Sequence, residues 1–133
     1  MIGIIVAGHG NFASGITSML ELVVGKPENY EYIDFLQGES QEALEDDYRE
    51  KLNNLKDCEK KVIMTDITGG SPFKSAVTYA VSDDRLNVIS GTNVPMLVEL
   101  IFRRMNSDDS EDLIQSSMEA GKEQIIRFHK DML

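Results

Sequence analysis

Residues 2–7, "IGIIVA", contain no polar side chain. A strand with one wet face alternates apolar and polar residues; this run does not, so it fits the centre of a parallel sheet covered by helices on both sides. The rest of the chain agrees. "YEYIDFL" at 30–36, "KVIMT" at 61–65 and "RLNVIS" at 85–90 read as three more strands, with helical segments between them. Strands and helices taking turns in this way build a parallel, doubly wound sheet. "YEYIDFL" is the most alternating of the four and belongs nearer an edge.

The helices have their own signals. Between Phe12 and Val24, residues Ile16, Met19, Leu20 and Val23 share one face. Ser40 caps a helix reaching about Leu55, with Ala43, Leu44, Tyr48, Leu52 and Leu55 at helical spacing. Ser71 as N-cap and Pro72 as first helical residue open a helix running to about Val81. Another runs from Pro95 to about Arg104, where Arg103 and Arg104 suit the negative end of the helix dipole. The last begins near Ser110 and is weakened or ended by Gly121; "QIIRFH" at 124–129 fits a helix or a short strand equally. The expected fold is α/β: a three-layer, doubly wound, mostly parallel sheet in the flavodoxin-like order 2-1-3-4, with room for an added C-terminal antiparallel strand. In that order the crevice between strands 1 and 3 is the switch point where ligands bind. The loops there are Gly8-His9-Gly10 and Asp66 to Ser71.

A chain of 133 residues with 41% apolar composition is expected to form a single domain, residues 1–133, around its own core. No apolar stretch is long enough to span a bilayer, and "MIGIIVA" lacks the basic flank of a signal peptide. The lone Cys58 reads as a spare loop thiol and suits a reducing, cytoplasmic compartment. The formal charge of −10 argues against nucleic acid or anionic lipid as partner. It favours solubility, or docking against a protein with a basic face.

"VAGHGNFA" at 6–13 holds two competing signals. Gly8, Gly10 and Ala13 fit the G-x-G-x-x-A spacing of dinucleotide-binding turns, with Asp34 about 20 residues on. Against that, the chain has no room for a second catalytic domain, and Asp34 sits inside its strand. A histidine at the tip of a buried strand between two glycines is poor packing material and reads better as a nucleophile. Asp66, at the equivalent tip of the third strand, can fix one imidazole nitrogen and leave the other with a free lone pair. Gly69 and Gly70 before Ser71-Pro72 expose amides at the positive end of a helix, a seat for a phosphoryl group. Nucleophile, orienting carboxylate and anion cradle together make a phosphohistidine site, with His9 and Asp66 in the chemical roles and Gly10, Gly69, Gly70 and Ser71 around the phosphoryl group. The three loops carry no arginine and the chain no Walker lysine. Such a site is expected to hold a phosphoryl group and pass it on, without metal or cofactor.

"IIVAGHG", "DITGGSPF" and "ISGTNVPMLVE" (residues 89–99), in this order and spacing, resemble the IIA component of the mannose family of the bacterial phosphoenolpyruvate-dependent sugar phosphotransferase system (PTS). The resemblance covers essentially the whole chain. It implies a cytoplasmic phosphotransferase, typically dimeric, that takes a phosphoryl group from HPr and hands it to a IIB component, which serves the membrane components IIC and IID. His9 matches the phosphorylated histidine, Asp66 its orienting aspartate, and Ser71 the loop around the phosphoryl group. Thr68 departs from the pattern, since some members carry an aromatic residue there. The alternative readings are a related IIA-like subunit serving a dihydroxyacetone kinase and a regulatory phosphoacceptor module.

Overall fold

The computed structural model describes residues 1–133. Four strands, β1 (Gly3–His9), β2 (Tyr30–Phe35), β3 (Lys61–Thr65) and β4 (Leu86–Ile89), pair in parallel in the order β2-β1-β3-β4. The fold is therefore α/β in the order 2-1-3-4. The five helices are α1 (Phe12–Val23), α2 (Gln41–Asn54), α3 (Ser71–Ala80), α4 (Val94–Arg103) and α5 (Ser110–Glu123).

The apolar run of β1 is divided between two cores. Ile4 and Val6 face Ala13 and Leu20 of α1, Met96, Leu97 and Leu100 of α4, and Leu113 of α5. Ile5 and Ala7 face Leu44 and Tyr48 of α2 and Ala76 of α3. This gives three layers, with α1, α4 and α5 on one side of the sheet and α2 and α3 on the other. No helix is long and apolar enough to cross a membrane.

Several local expectations change once tertiary contacts are in place. The buried stripe of α1 is Ala13, Thr17 and Leu20, and Val23 is 64% exposed. The N-cap of α3 is Gly70; Ser71 is the first helical residue, and no side chain caps this end. Gly121 lies buried inside α5, where a Cβ would come within 2.3 Å of Met96 Cγ; its smallness lets α5 lie on α4. Cys58 is buried against the α2 side of the sheet, unlike a spare thiol. Residues 125–129 are exposed and form neither helix nor strand within this chain, and a 3-10 turn follows at Lys130–Met132.

Arg103 pairs with Glu99 at 2.8 Å on the surface. Arg104 turns inward instead of serving the helix dipole. Its guanidinium donates to the carbonyls of Ile2 (2.8 Å), Asn29 (3.1 Å) and Glu28, while its Nε has no partner. Burial pulls its pKa below the usual arginine value. Three carbonyl acceptors supply what a carboxylate would normally supply to a cation removed from water.

Candidate active site

The carboxyl ends of β1 and β3 are adjacent, and their pairing stops at Ala7 opposite Thr65. Past that point the next group on the β3 side is a side chain. Asp66 Oδ2 accepts the His9 backbone N–H at 2.8 Å and lies 2.7 Å from His9 Nδ1. One carboxylate oxygen thus fixes both the backbone and the ring of His9. Asp66 Oδ1 accepts the Ile67 N–H at 2.8 Å. Partial burial works against the Asp66 charge, yet the bonds from the His9 amide and ring and from the Ile67 amide outweigh it. They hold the carboxyl below the usual carboxylate range. A carboxylate that accepts at Nδ1 requires the proton there, so Nε2 carries the lone pair.

The imidazole edge opposite Asp66 faces the start of α3. A Cβ on Gly70 would lie 2.7 Å from His9 Cε1 and 3.3 Å from Nε2, so only a glycine lets the backbone run beside the ring. Gly69 has φ +84, a conformation glycine adopts without strain. Beyond Gly70, the amides of Ser71 and Phe73 have no backbone acceptor, whereas the Lys74 amide is bonded to the Gly70 carbonyl at 2.9 Å. The unpaired amides form the positive end of α3, next to the open ring nitrogen. Phe35 packs edge-on against the imidazole, with centroids 6.1 Å apart. His9 nevertheless keeps 43% of its side chain exposed, against 13% for Asp66.

The structure brings His9, Asp66, Gly70 and the start of α3 together, with Gly10 and Gly69 on the flanking turns. The glycines beside His9 differ in purpose. Gly8 is buried, and a Cβ there would strike the Phe12 ring at 2.5 Å; Gly10 has φ +55 and open space around it. Gly8 therefore serves packing more than exposure of the imidazole. His129 lies in the exposed C-terminal segment with no carboxylate partner.

Two contributors were not foreseen from the sequence. Asp34 Oδ1 accepts the Ser14 amide at 2.9 Å, so a β2 carboxylate already occupies the positive end of α1. In a dinucleotide-binding turn a pyrophosphate leans on that helix end; here the G-x-G-x-x-A reading loses its anion seat. The second is the segment after β4. The Gly91 amide donates to the Asp66 carbonyl at 2.8 Å and the Thr92 amide to the Thr65 carbonyl at 3.1 Å, which seats the Asp66 turn against it. The "GTNVP" motif was the available signal.

Comparison with known proteins agrees with this architecture. The family model described as "PTS system fructose IIA component" matches residues 3–118. The mannose-specific EIIAB component of the PTS of Escherichia coli K12 is 34% identical over 92% of this chain, which spans 38% of that protein's length. The fructose-specific EIIA component of Bacillus subtilis is 28% identical over 78% of the chain and 71% of the relative. A solved EIIA component from Streptococcus agalactiae superposes with a TM-score of 0.88 at 32% identity, covering 96% of this chain and 98% of that one. The chain belongs to the mannose-type IIA family of the sugar phosphotransferase system.

Proposed function

We propose that the chain, acting as one unit over residues 1–133, is a phosphoryl carrier with His9 as the phosphorylated residue. It accepts the group from phospho-HPr and passes it to a IIB component for sugar uptake. The observation that carries this reading is the 2.7 Å contact between Asp66 and Nδ1, which leaves Nε2 open beside the unpaired amides of α3. The Nε2 lone pair attacks phosphorus in line as the N–P bond to the donor histidine breaks, and that bonding pair returns to the donor ring. The phosphorylated His9 ring is then cationic, and Asp66 stabilises it through Nδ1–H. Transfer onward to IIB reverses these steps.

The bond broken and the bond formed are both histidine N–P bonds, so the exchange is nearly balanced and positioning supplies most of the catalysis. Gly10 keeps bulk away from the approach, while Gly69, Gly70 and Ser71 offer backbone amides and one hydroxyl to the phosphoryl oxygens. This requires no metal, nucleotide or other cofactor. The membrane components IIC and IID are reached only through IIB, and the work is cytoplasmic. The name of the E. coli relative, an EIIAB component, supports a B component as acceptor. We further propose a homodimer, because Ile125, Ile126 and Phe128 are 65–78% exposed on a segment that this chain leaves uncovered.

The test is label transfer from phospho-HPr in excess EDTA without nucleotide. Wild type and His129→Ala are expected to take label in acid-labile form, and His9→Ala to take none. Label that survives loss of His9, or strict dependence on magnesium or ATP, refutes the reading.

A further inference from the structure

The turn from Asp66 to Gly70 carries the carboxylate that orients His9 and the backbone that borders its ring, yet its base and tip are held very differently. The base is fixed by backbone bonds from Gly91 and Thr92 and by the Thr65 hydroxyl, which donates to the Ile89 carbonyl at 3.2 Å. The tip, residues 67–69, is exposed, and the bond that closes it, Gly70 N–H to the Ile67 carbonyl, is long at 3.4 Å. A tip that contains Gly69 and runs straight into Gly70 has much backbone freedom to lose. One side-chain bond ties it to another element: the hydroxyls of Thr68 and Ser90 lie 2.6 Å apart. Ser90 is a firm anchor. It follows β4 directly, and Asn93 three residues later caps α4 through Oδ1 and holds the Gly121 carbonyl of α5 through Nδ2.

We propose that Thr68 and Ser90 are positioning residues for transfer at His9. Their hydroxyl bond fixes the tip of the turn and so keeps the Gly70 backbone and the amide end of α3 against the imidazole. Neither hydroxyl needs to touch the phosphoryl group. The inference rests on the carrier reading and adds to it the "ISGTNVPMLVE" motif, otherwise known here only as the base of the turn. A hydroxyl pair of this kind shifts the population of the held turn by about 2- to 10-fold. A transfer step that depends on sub-ångström placement reads that shift directly.

The experiment is single-turnover transfer from phospho-HPr at graded donor concentrations, on wild type, Thr68→Val, Ser90→Ala, the double variant and Thr68→Ser. Thermal midpoints and backbone amide exchange are measured on the same proteins. Thr68→Val and Ser90→Ala are each expected to slow the saturated step about 2- to 10-fold, with half-saturating donor concentration unchanged. The double variant should be no slower than either single one, because both remove one bond. Thr68→Ser should keep the wild-type rate, and exchange of the Gly70 amide, which closes the turn on the Ile67 carbonyl, should quicken in the slowed variants. An unchanged saturated step, additive losses, or Thr68→Ser behaving like Thr68→Val overturns the proposal. An effect confined to half-saturating concentration also overturns it, since Thr68 would then be touching the donor. Wild-type protein that takes no label fails the carrier reading itself, and this control is read first.

Discussion

Replacing Gly70 by alanine should separate folding from transfer. Gly70 has φ −74 and ψ 168, a region open to any residue, so the backbone accepts alanine without strain. The added methyl, however, arrives 2.7 Å from His9 Cε1 and 3.2 Å from Ile67 Cγ1. Carbon atoms settle about 3.5–4.0 Å apart, so ring and turn must separate by roughly 1 Å. The ring is tethered to Asp66 at 2.7 Å and cannot yield that distance without straining the tether. If the turn yields instead, the amides of α3 retreat from Nε2. Either route misplaces the reacting groups by about 1 Å, which costs on the order of 100-fold in rate. Stability should hardly change. Overpacking costs about 1–3 kcal/mol at a confined site and less beside a half-exposed ring, and the stiffer unfolded chain returns about 0.4–1 kcal/mol. Gly69→Ala supplies the contrast: no atom lies within 4 Å of its Cβ, but φ is +84. It should lose about 1–2 kcal/mol of stability and less transfer activity. Rapid-quench transfer from phospho-HPr and thermal unfolding, run on both variants, give the two readouts. A Gly70→Ala protein within threefold of wild type (against the order of 100-fold expected), or a Gly69→Ala protein with the slower transfer, refutes the reasoning.

Asp66→Asn should fold and transfer at least about tenfold more slowly, because an amide can present NH₂ to the ring and favour the wrong tautomer; an unchanged rate reduces Asp66 to a turn residue. The depressed pKa of Asp66 also fixes a sign. Its carboxylate stabilises the fold fully above the unfolded value of about 3.9 and loses that contribution as pH falls through the lower folded value. The stability gap between wild type and Asp66→Asn should therefore narrow on acidification below about pH 4, as followed by urea unfolding; a gap that widens is the contrary result. Gly121→Ala should destabilise by about 1–3 kcal/mol through the Met96 clash, read as a lowered unfolding midpoint. Light scattering at micromolar concentration should give a dimer mass, and a monomer mass contradicts the proposed assembly. Transfer from phospho-HPr should slow with added salt if the chain's net charge of −10 steers a basic partner.

The elements legible in the sequence were those whose signal is local. "KVIMT" matches β3 residue for residue, and Ser40 caps α2 by accepting the Ala43 amide at 3.1 Å. His9 and Asp66 were legible as a pair because both sit at strand tips and the strand order makes those tips neighbours. What could not be read depends on residues far away in the chain. Ser71 looks like a cap until Gly70 is found in the extended conformation beside the imidazole. Gly121 looks like a helix breaker until Met96 and Asn93 occupy the space its side chain would fill. The rotation of α1 follows from where the sheet lies, so periodicity alone put Val23 on the buried face, whereas the structure leaves it exposed. The assignment of Nδ1 to Asp66 was equally open, since spacing does not say which ring nitrogen a carboxylate meets.

Arg104 has a consequence for the order in which this protein can be completed. Its guanidinium closes a loop back to Ile2 across 102 positions, and the α4 residues covering Ile4 and Val6 lie just before it. β1, an inner strand of the sheet, is thus made before β2, β3 and β4 and is among the last elements to gain all its neighbours. Until residues 96–104 emerge, one face of "IGIIVA" lacks its cover from α4, and the carbonyls of Ile2, Glu28 and Asn29 lack their donor. Long-range parallel pairing is slow and exposes aliphatic surface while it proceeds. Truncations that stop short of Arg104 are therefore expected to aggregate, as read by sedimentation of the expressed fragments.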